Sequence, residues 1–291
     1  MNITSIHLYS VLDDVNATPI KHAELNLKNV SKSDSYIIKG LSGLDVEEIT
    51  HQYYATNTDT KYYNISMPTR TVAMAIRLNP QYKYGETSES LRTNLEKMIS
   101  YTRNGLIELK FMNGLTHVSS LFGLISKFES SLFSSESEVQ ITFKCEQPFF
   151  VGPERIYVPV NGPRVDSKTW TDNLSSAAHG FQMEILFPNK NTTFVEITTT
   201  NAFSVSTFSF IIDMPFNNTT LHFSSELNNR YLYFDWPNSG GTYSLMADIQ
   251  NYSVWPMMHP GQTQISIDTE PLAQNDFIFS SISYLPTYWS V

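Results

Sequence analysis

The sequence predicts a mainly β protein of two domains. The first is an N-terminal β-barrel or sandwich with one packed α-helix over residues 1–155, and the second a C-terminal jelly-roll β-sandwich over residues 156–291. Three observations carry this reading. Charged residues make up 16% of the chain, against roughly 25% in an ordinary globular protein. Aromatics reach 13%, a mixture that suits strands and turns better than long solvated helices. Apolar residues alternate with period two in many short runs bounded by Gly, Pro, Asn and Asp, and only one segment shows helical spacing. At 291 residues the chain can fill two ordinary cores, or one if it forms a single large barrel or sandwich.

From the N-terminus, Asn2 to Tyr9 and Tyr36 to Ile38 read as short strands, with Asp13, Asp14, Asn16 and Pro19 as turn residues between them. Gly40, Ser42 and Gly43 punctuate the next segment. Glu47 and Glu48 follow, and adjacent strand residues point to opposite faces, so this pair reads as surface and not as a catalytic couple. Thr71 to Leu78 puts Val72, Met74, Ile76 and Leu78 on one face. After Asn79-Pro80 comes the helix: Thr87 or Ser88 caps it, Glu89 complements its positive end, and Leu91, Leu95, Met98 and Ile99 form the apolar stripe. Asn104-Gly105 is read as its left-handed stop. Leu106 to Met112 is a strand, Asn113-Gly114 is read as a type I′ hairpin turn, and the chain returns through Val118 to Phe128. Val139, Ile141, Phe143 and Cys145 then line one face of a strand that Pro148 ends.

Val151 to Pro163 holds Gly152, Pro153, Pro159, Gly162 and Pro163 and marks the seam. Beyond it no amphipathic helix is visible. Met183–Phe187, Thr193–Thr199, Ser204–Ile212, Thr220–Ser224, Arg230–Asp235, Tyr243–Ala247, Gln262–Ile267 and Phe277–Tyr284 read as strands. Turn chemistry at Asn217-Asn218, Pro237 to Gly241 and His259-Pro260-Gly261 separates them. The spacing describes a sandwich of jelly-roll or galectin-like type.

The net charge of −9 is uneven: residues 1–155 hold 15 basic and 17 acidic residues, and residues 156–291 hold 4 and 11. No basic excess is present for a nucleic-acid groove, and the cation-poor second half fits neutral partners better than phosphate or anionic lipid. A single cysteine, Cys145, excludes an intrachain disulfide and is expected in the core. The opening residues alternate and the first lysine is Lys21, which is not a secretory pattern, and no apolar run reaches membrane-spanning length. Gly-x-Ser-x-Gly, P-loop and His-Glu-x-x-His motifs are absent, and the seven histidines lack metal-ligand spacing. Asp213, Glu226, Asp235 and Asp248 are acids that a glycosidase would use, although spacing alone does not pair them. The expectation is therefore no enzyme and no cofactor. The sharper alternative is a carbohydrate-binding sandwich that contacts host-surface glycans, with Trp170 and Trp255 read as loop aromatics offering sugar or partner contacts.

Combination of motifs adds a resemblance. Residues 121–150, LFGLISKFESSLFSSESEVQITFKCEQPFF, place Gly123, Ile125 and Glu129 on one strand, Phe133 in a loop, and Cys145, Pro148, Phe149 and Phe150 at the end of the next strand. Gly40 to Ile49, GLSGLDVEEI, gives a Gly-Leu-x-Gly bend, and Leu91-Arg92 sits in the helix. Later, Arg230 to Trp236 is followed by Gly240-Gly241, Pro260-Gly261 leads into Gln264 to Ile267, and the chain closes on Ile282 to Tyr288. In this order the chain resembles the distal tail proteins, or Dit proteins, of long-tailed bacteriophages over nearly its whole length.

The resemblance implies a structural virion protein at the distal end of the phage tail, made in the host cytoplasm. Six copies would form a ring through their N-terminal domains, joining the tail tube protein to the tail-associated hub protein and anchoring receptor-binding or side-fibre proteins. It implies no specific nucleic-acid binding and no membrane insertion. Under it, Gly43, Asp45 and Glu47 in one segment and Phe133 and Ser135 in another are the candidate ring-interface residues.

Overall fold

The computed structural model describes residues 3–12, 18–27, 34–45, 50–55, 60–66, 69–103, 105–130, 137–158, 167–188, 192–202, 204–212, 218–226, 229–235, 241–270 and 278–290. Glu47, Glu48, Asn104, Phe133, Ser135, Pro159, Gly162, Pro163, Asp213, Asn217, Trp236 and the turn residues 237–240 lie outside them. The chain divides into two compact units, Met1–Pro153 with Tyr288–Val291, and Glu154–Thr287. The sequence reading assigned the last four residues to the second domain; they group instead with the first.

The first unit contains β1 (Ser5–Leu12), β2 (Ile20–Asn26), β3 (Tyr36–Ser42), β4 (Thr50–Ala55), β5 (Thr60–Ser66), β6 (Arg70–Leu78), α1 (Ser88–Tyr101), β7 (Gly105–Asn113), β8 (Thr116–Ser130), β9 (Glu138–Cys145) and β10 (Phe150–Val151). Strands run in the order β8-β7-β1-β2-β3-β6-β9, and β9 pairs back onto β8, so seven strands close a barrel. Closure removes open sheet edges. Among the described residues every pairing in it is antiparallel except β2 with β3, which is parallel and rests on the single pair Asn26–Ile37. Among the described residues β4 and β5 pair only with each other, as a separate hairpin.

The expected alternation fills the barrel. Val72, Met74 and Ile76 from β6, Ile107, Leu109 and Phe111 from β7, and Ile141, Phe143 and Cys145 from β9 are all fully buried. Leu91, Leu95 and Met98 seal α1 onto this core, whereas Ile99, expected in the apolar stripe, is exposed. It falls one position beyond the buried face. Thr87 is the cap: its hydroxyl accepts from Ser90 N, and the Ser90 hydroxyl accepts from Thr87 N. The helix stops at Tyr101 with Thr102 as a right-handed cap, and Gly105 opens β7 instead of ending the helix.

The hairpin turn is also displaced by one residue. Asn113 pairs with Thr116, so Gly114 and Leu115 form the loop; Gly114 has φ +59 and Leu115 does not share the left-handed conformation. Glycine at the first central position is the signature of a type II′ turn, not I′. At the barrel's closure, a Cβ on Gly123 would lie 2.7 Å from Cys145 Sγ, so β8 and β9 approach at a glycine because no side chain fits there.

The second unit contains β11 (Ile156–Val158), β12 (Ser167–Asp172), β13 (Gln182–Phe187), β14 (Phe194–Asn201), β15 (Val205–Ile211), β16 (Thr219–Ser224), β17 (Tyr231–Asp235), β18 (Thr242–Ser244), β19 (Gly261–Glu270) and β20 (Ile278–Tyr284). The last strand, β21, is Thr287–Tyr288. One sheet runs β11-β20-β13-β16-β17-β18 and the other β12-β19-β14-β15. Phe181, Met183, Ile185, Phe223 and Phe234 from the first sheet side and Val195, Ile197, Phe208, Phe210 and Ile265 from the second share one core. This is the predicted β-sandwich. The expected strand over Tyr243–Ala247 stops at Ser244 and gives way to a 3-10 turn, Met246–Asp248. Trp170, expected in a loop, lies on β12.

Candidate functional site

In the barrel unit the informative side chain is Arg70, the first residue of β6 and only 4% exposed. Its Nε donates to Pro148 O at 2.6 Å, one terminal nitrogen donates to Gly43 O, Leu44 O and Asp45 O at 3.0, 2.6 and 3.1 Å, and the other donates to Trp289 O at 2.6 Å. The guanidinium also lies 4.8 Å from the centroid of Phe150. A planar cation with five N–H donors suits such a fan of carbonyls. It fixes the segment that carries two of the candidate ring-interface residues. Gly43 has φ +83, and a Cβ there would sit 1.9 Å from Thr71 O, so its backbone role alone requires glycine. Asp45 is exposed. Trp289 packs edge-on against Phe149 at 4.8 Å.

In the sandwich unit a buried polar cluster centres on Asp172. Leu174 N, Ser175 N and the Tyr284 hydroxyl donate to its Oδ1, and His179 Nε2 lies 2.9 Å from Oδ2. Burial alone would raise this carboxyl, but the hydrogen bonds from His179, Ser175 and the backbone outweigh burial and hold it well below the usual carboxylate range. His179 stacks on Tyr284 at 4.5 Å, and its Nδ1 faces Gly180 O at 3.0 Å. Trp170 joins this cluster through Nε1, which donates to the Tyr284 hydroxyl at 3.3 Å. Trp255 packs against Phe208 at 4.5 Å and Phe223 at 5.8 Å, with the Arg230 guanidinium 5.2 Å from its ring. Both tryptophans pack against the sandwich core, Trp170 at the Asp172 cluster and Trp255 on Phe208 and Phe223.

A second constellation lies across β13, β16 and β17, where Glu184, His222 and Tyr233 stand in register. His222 Nε2 is 2.8 Å from Asp235, its Nδ1 is 3.4 Å from Glu184, and its ring stacks on Tyr233 at 4.8 Å. Tyr231 follows at 5.4 Å, its phenol pushed up to about 12 by burial and then by Tyr233 and Glu226. Glu226 is gripped by Arg155 at 2.7 and 3.0 Å. Of the acids considered for glycoside chemistry, Glu226 and Asp235 are therefore each engaged with a cationic or imidazole partner, and Asp248 sits in the 3-10 turn.

Among the described residues no group of three or more His, Cys, Asp or Glu is gathered for a metal, and no helix is long and apolar enough to cross a membrane. Cys145 is sealed in the barrel core, where burial pushes its thiol up to about 12. Sequence reasoning did not single out Arg70, Asp172 or His179. The acceptors of Arg70 come from distant parts of the chain, and although Asp172 meets Leu174, Ser175 and His179 close by in sequence, Tyr284, which completes the cluster, is far along the chain.

No protein-family model matches the chain, and no curated protein matches it. Solved structures do. The Dit protein of phage SPP1, described as a paradigm of the hub adsorption apparatus in phages infecting Gram-positive hosts, superposes with a TM-score of 0.58 at 13% identity, covering 97% of this chain and 98% of that chain. The phage p2 baseplate in its activated conformation, with Sr and with Ca, matches at a TM-score of 0.52 and 9% identity over the full length of both chains. From end to end, the chain has the fold of phage Dit and baseplate proteins.

Proposed function

We propose that the chain is a distal tail protein: a non-enzymatic hub whose barrel units assemble into a hexameric ring between the tail tube protein and the tail-associated hub protein. The sandwich units anchor receptor-binding or side-fibre proteins, and the ring sits at the distal end of the virion tail. The observation that carries this reading is the match in fold over nearly the full length of hub and baseplate proteins. A second feature supports assembly. Among the described residues the β4–β5 hairpin pairs with no other strand, and an isolated two-stranded hairpin is marginal in water until something packs or pairs on it. A closed ring needs two different patches on each subunit. We assign one of them to the hairpin with the adjoining Gly43, Asp45 and Glu47, and include Phe133 and Ser135 as interface candidates.

Light scattering on the purified chain, with negative-stain images of the same fraction, tests this. Rings with a central hole and a mass of about six chains are expected. A monomer at every concentration, in the presence of the tube and hub proteins as well, would overturn it. Glycan contact by the sandwich is the second reading, favoured by the row of Tyr231, Tyr233 and His222 flanked by Glu184 and Asp235. It predicts retention on host-surface glycan that free sugar reverses and that Tyr233→Ala abolishes.

A further inference from the structure

The wall of the barrel across β8, β7, β1 and β2 carries a continuous polar network on its outer side. Ile6 and Leu8 from β1, with Leu109 and Phe111 from β7, point into the core and are fully buried. The residues alternating with them face outward. Register sets Ser120, Lys110, His7 and Glu24 side by side on the four strands. His117 Nε2 lies 2.9 Å from the Ser120 hydroxyl, which donates to Glu108 Oε1. Lys110 Nζ stands 3.8 Å from the same Glu108 oxygen and 4.8 Å from the centroid of Tyr9. On the far side of Lys110, His7 Nε2 lies 3.5 Å from Glu24 Oε2, an oxygen that Lys21 already holds at 2.9 Å.

Each carboxylate of this network is therefore engaged with a lysine. While the two imidazoles are neutral, Lys21 and Lys110 balance Glu24 and Glu108; once both are protonated, four cations share two anions. The wall is badly placed to absorb that excess. The side chains of His7 and Glu108 are only 13% and 12% exposed, so water screens the added charge weakly.

The electrostatics agree with the geometry. Burial comes first in holding His7 below its ordinary value, followed by Lys21, with Glu24 opposing and Lys110 adding to the depression. Burial also comes first for His117, followed by Lys110, against the Ser119 backbone and Glu108. The unfolded chain thus takes up protons before the folded one. The contribution of these two rings to stability is intact above the unfolded value of about 6.5 and declines as pH falls from there toward the folded values.

We propose that this wall is an acid-sensitive element of the barrel: protonation of His7 and His117, on either side of Lys110, loosens the pairing of β7 with β1 and β8. The inference rests on the barrel alone and is independent of the tail-hub reading.

Hydrogen exchange of the full chain, resolved by peptide at about pH 7 and about pH 5 and corrected for the chemical step, tests it. Peptides over β1 and β7 should lose protection at the lower pH. In Lys110→Met, which removes the cation between the two rings, that loss should shrink. Proton NMR titration of the same variant should show the His7 and His117 midpoints moving up, whereas that of His22, which answers to burial and Lys97, stays in place. Unchanged protection of β1 and β7 in the wild-type chain, a measurement that needs no variant to fold, overturns the proposal. A loss as large in Lys110→Met, His7 and His117 midpoints that do not move, or an equal shift of His22 overturns it as well.

Discussion

Arg70 is a buried charge met by backbone carbonyls and Asp172 one met by backbone N–H groups with His179 and Tyr284, and each predicts a measurable loss. Arg70→Lys keeps the charge but loses the planar fork, so several carbonyls from Gly43 to Asp45 go unmet; the barrel should lose roughly 3 kcal/mol in urea unfolding, by the usual worth of hydrogen bonds to a charged group. For Asp172 the pKa is lowered on folding. Its stabilisation is therefore fully present above the unfolded value of about 3.9 and disappears as pH falls below that value toward the folded one. Urea midpoints measured from pH 6 downward should drop below about pH 4, and the drop should be smaller in Asp172→Asn. Cys145 was legible in the sequence because alternation alone puts it inward. Arg70 was not, because its acceptors are spread over Gly43 to Asp45, Pro148 and Trp289, and nothing in the vicinity of residue 70 announces them.

At the level of elements, legibility followed the regularity of the pattern. β6, β7, β9 and α1 were readable because most of their buried residues keep the element's period, and the cap of α1 was narrowed to Thr87 or Ser88, between which the reciprocal bonds of Thr87 and Ser90 decide. Thr87→Ala should cost about 1 kcal/mol and shift the unfolding midpoint without altering its slope. β2 escaped notice for a physical reason: the bulge at His22 breaks the alternation, so the strand has no clean face in sequence. β12 escaped because SKTWTD, an edge strand, offers one aromatic among polar residues. β4 and β5 hold Tyr, Thr, Gln and Asn with no period of two. The turn after β7 was recognised as a turn but shifted by one residue, since Asn-Gly and Gly-x both make two-residue loops and only the register of β7 against β8 decides between them.

On the whole-molecule scale, two domains were expected, a barrel or sandwich with one helix and then a sandwich; the structure resolves the first as a closed barrel, and the fold of phage hub proteins agrees. What spacing did not disclose is that the chain's last residues belong to its first unit. Trp289→Ala removes the edge-on contact with Phe149 while keeping the carbonyl that Arg70 holds; it should lower barrel stability by about 1 kcal/mol and leave sandwich signals unchanged, as hydrogen exchange resolved by peptide would report.

That arrangement also sets a clock during biosynthesis. Residues Met1–Pro153 emerge from the ribosome first, yet one carbonyl acceptor of Arg70 and the aromatic neighbour of Phe149 are translated only after all of Glu154–Thr287. At ordinary elongation speeds this wait is on the order of ten seconds. For that interval the nascent barrel stands with Phe149 lacking its aromatic neighbour and Arg70 lacking the Trp289 carbonyl, a defined patch for a chaperone to hold.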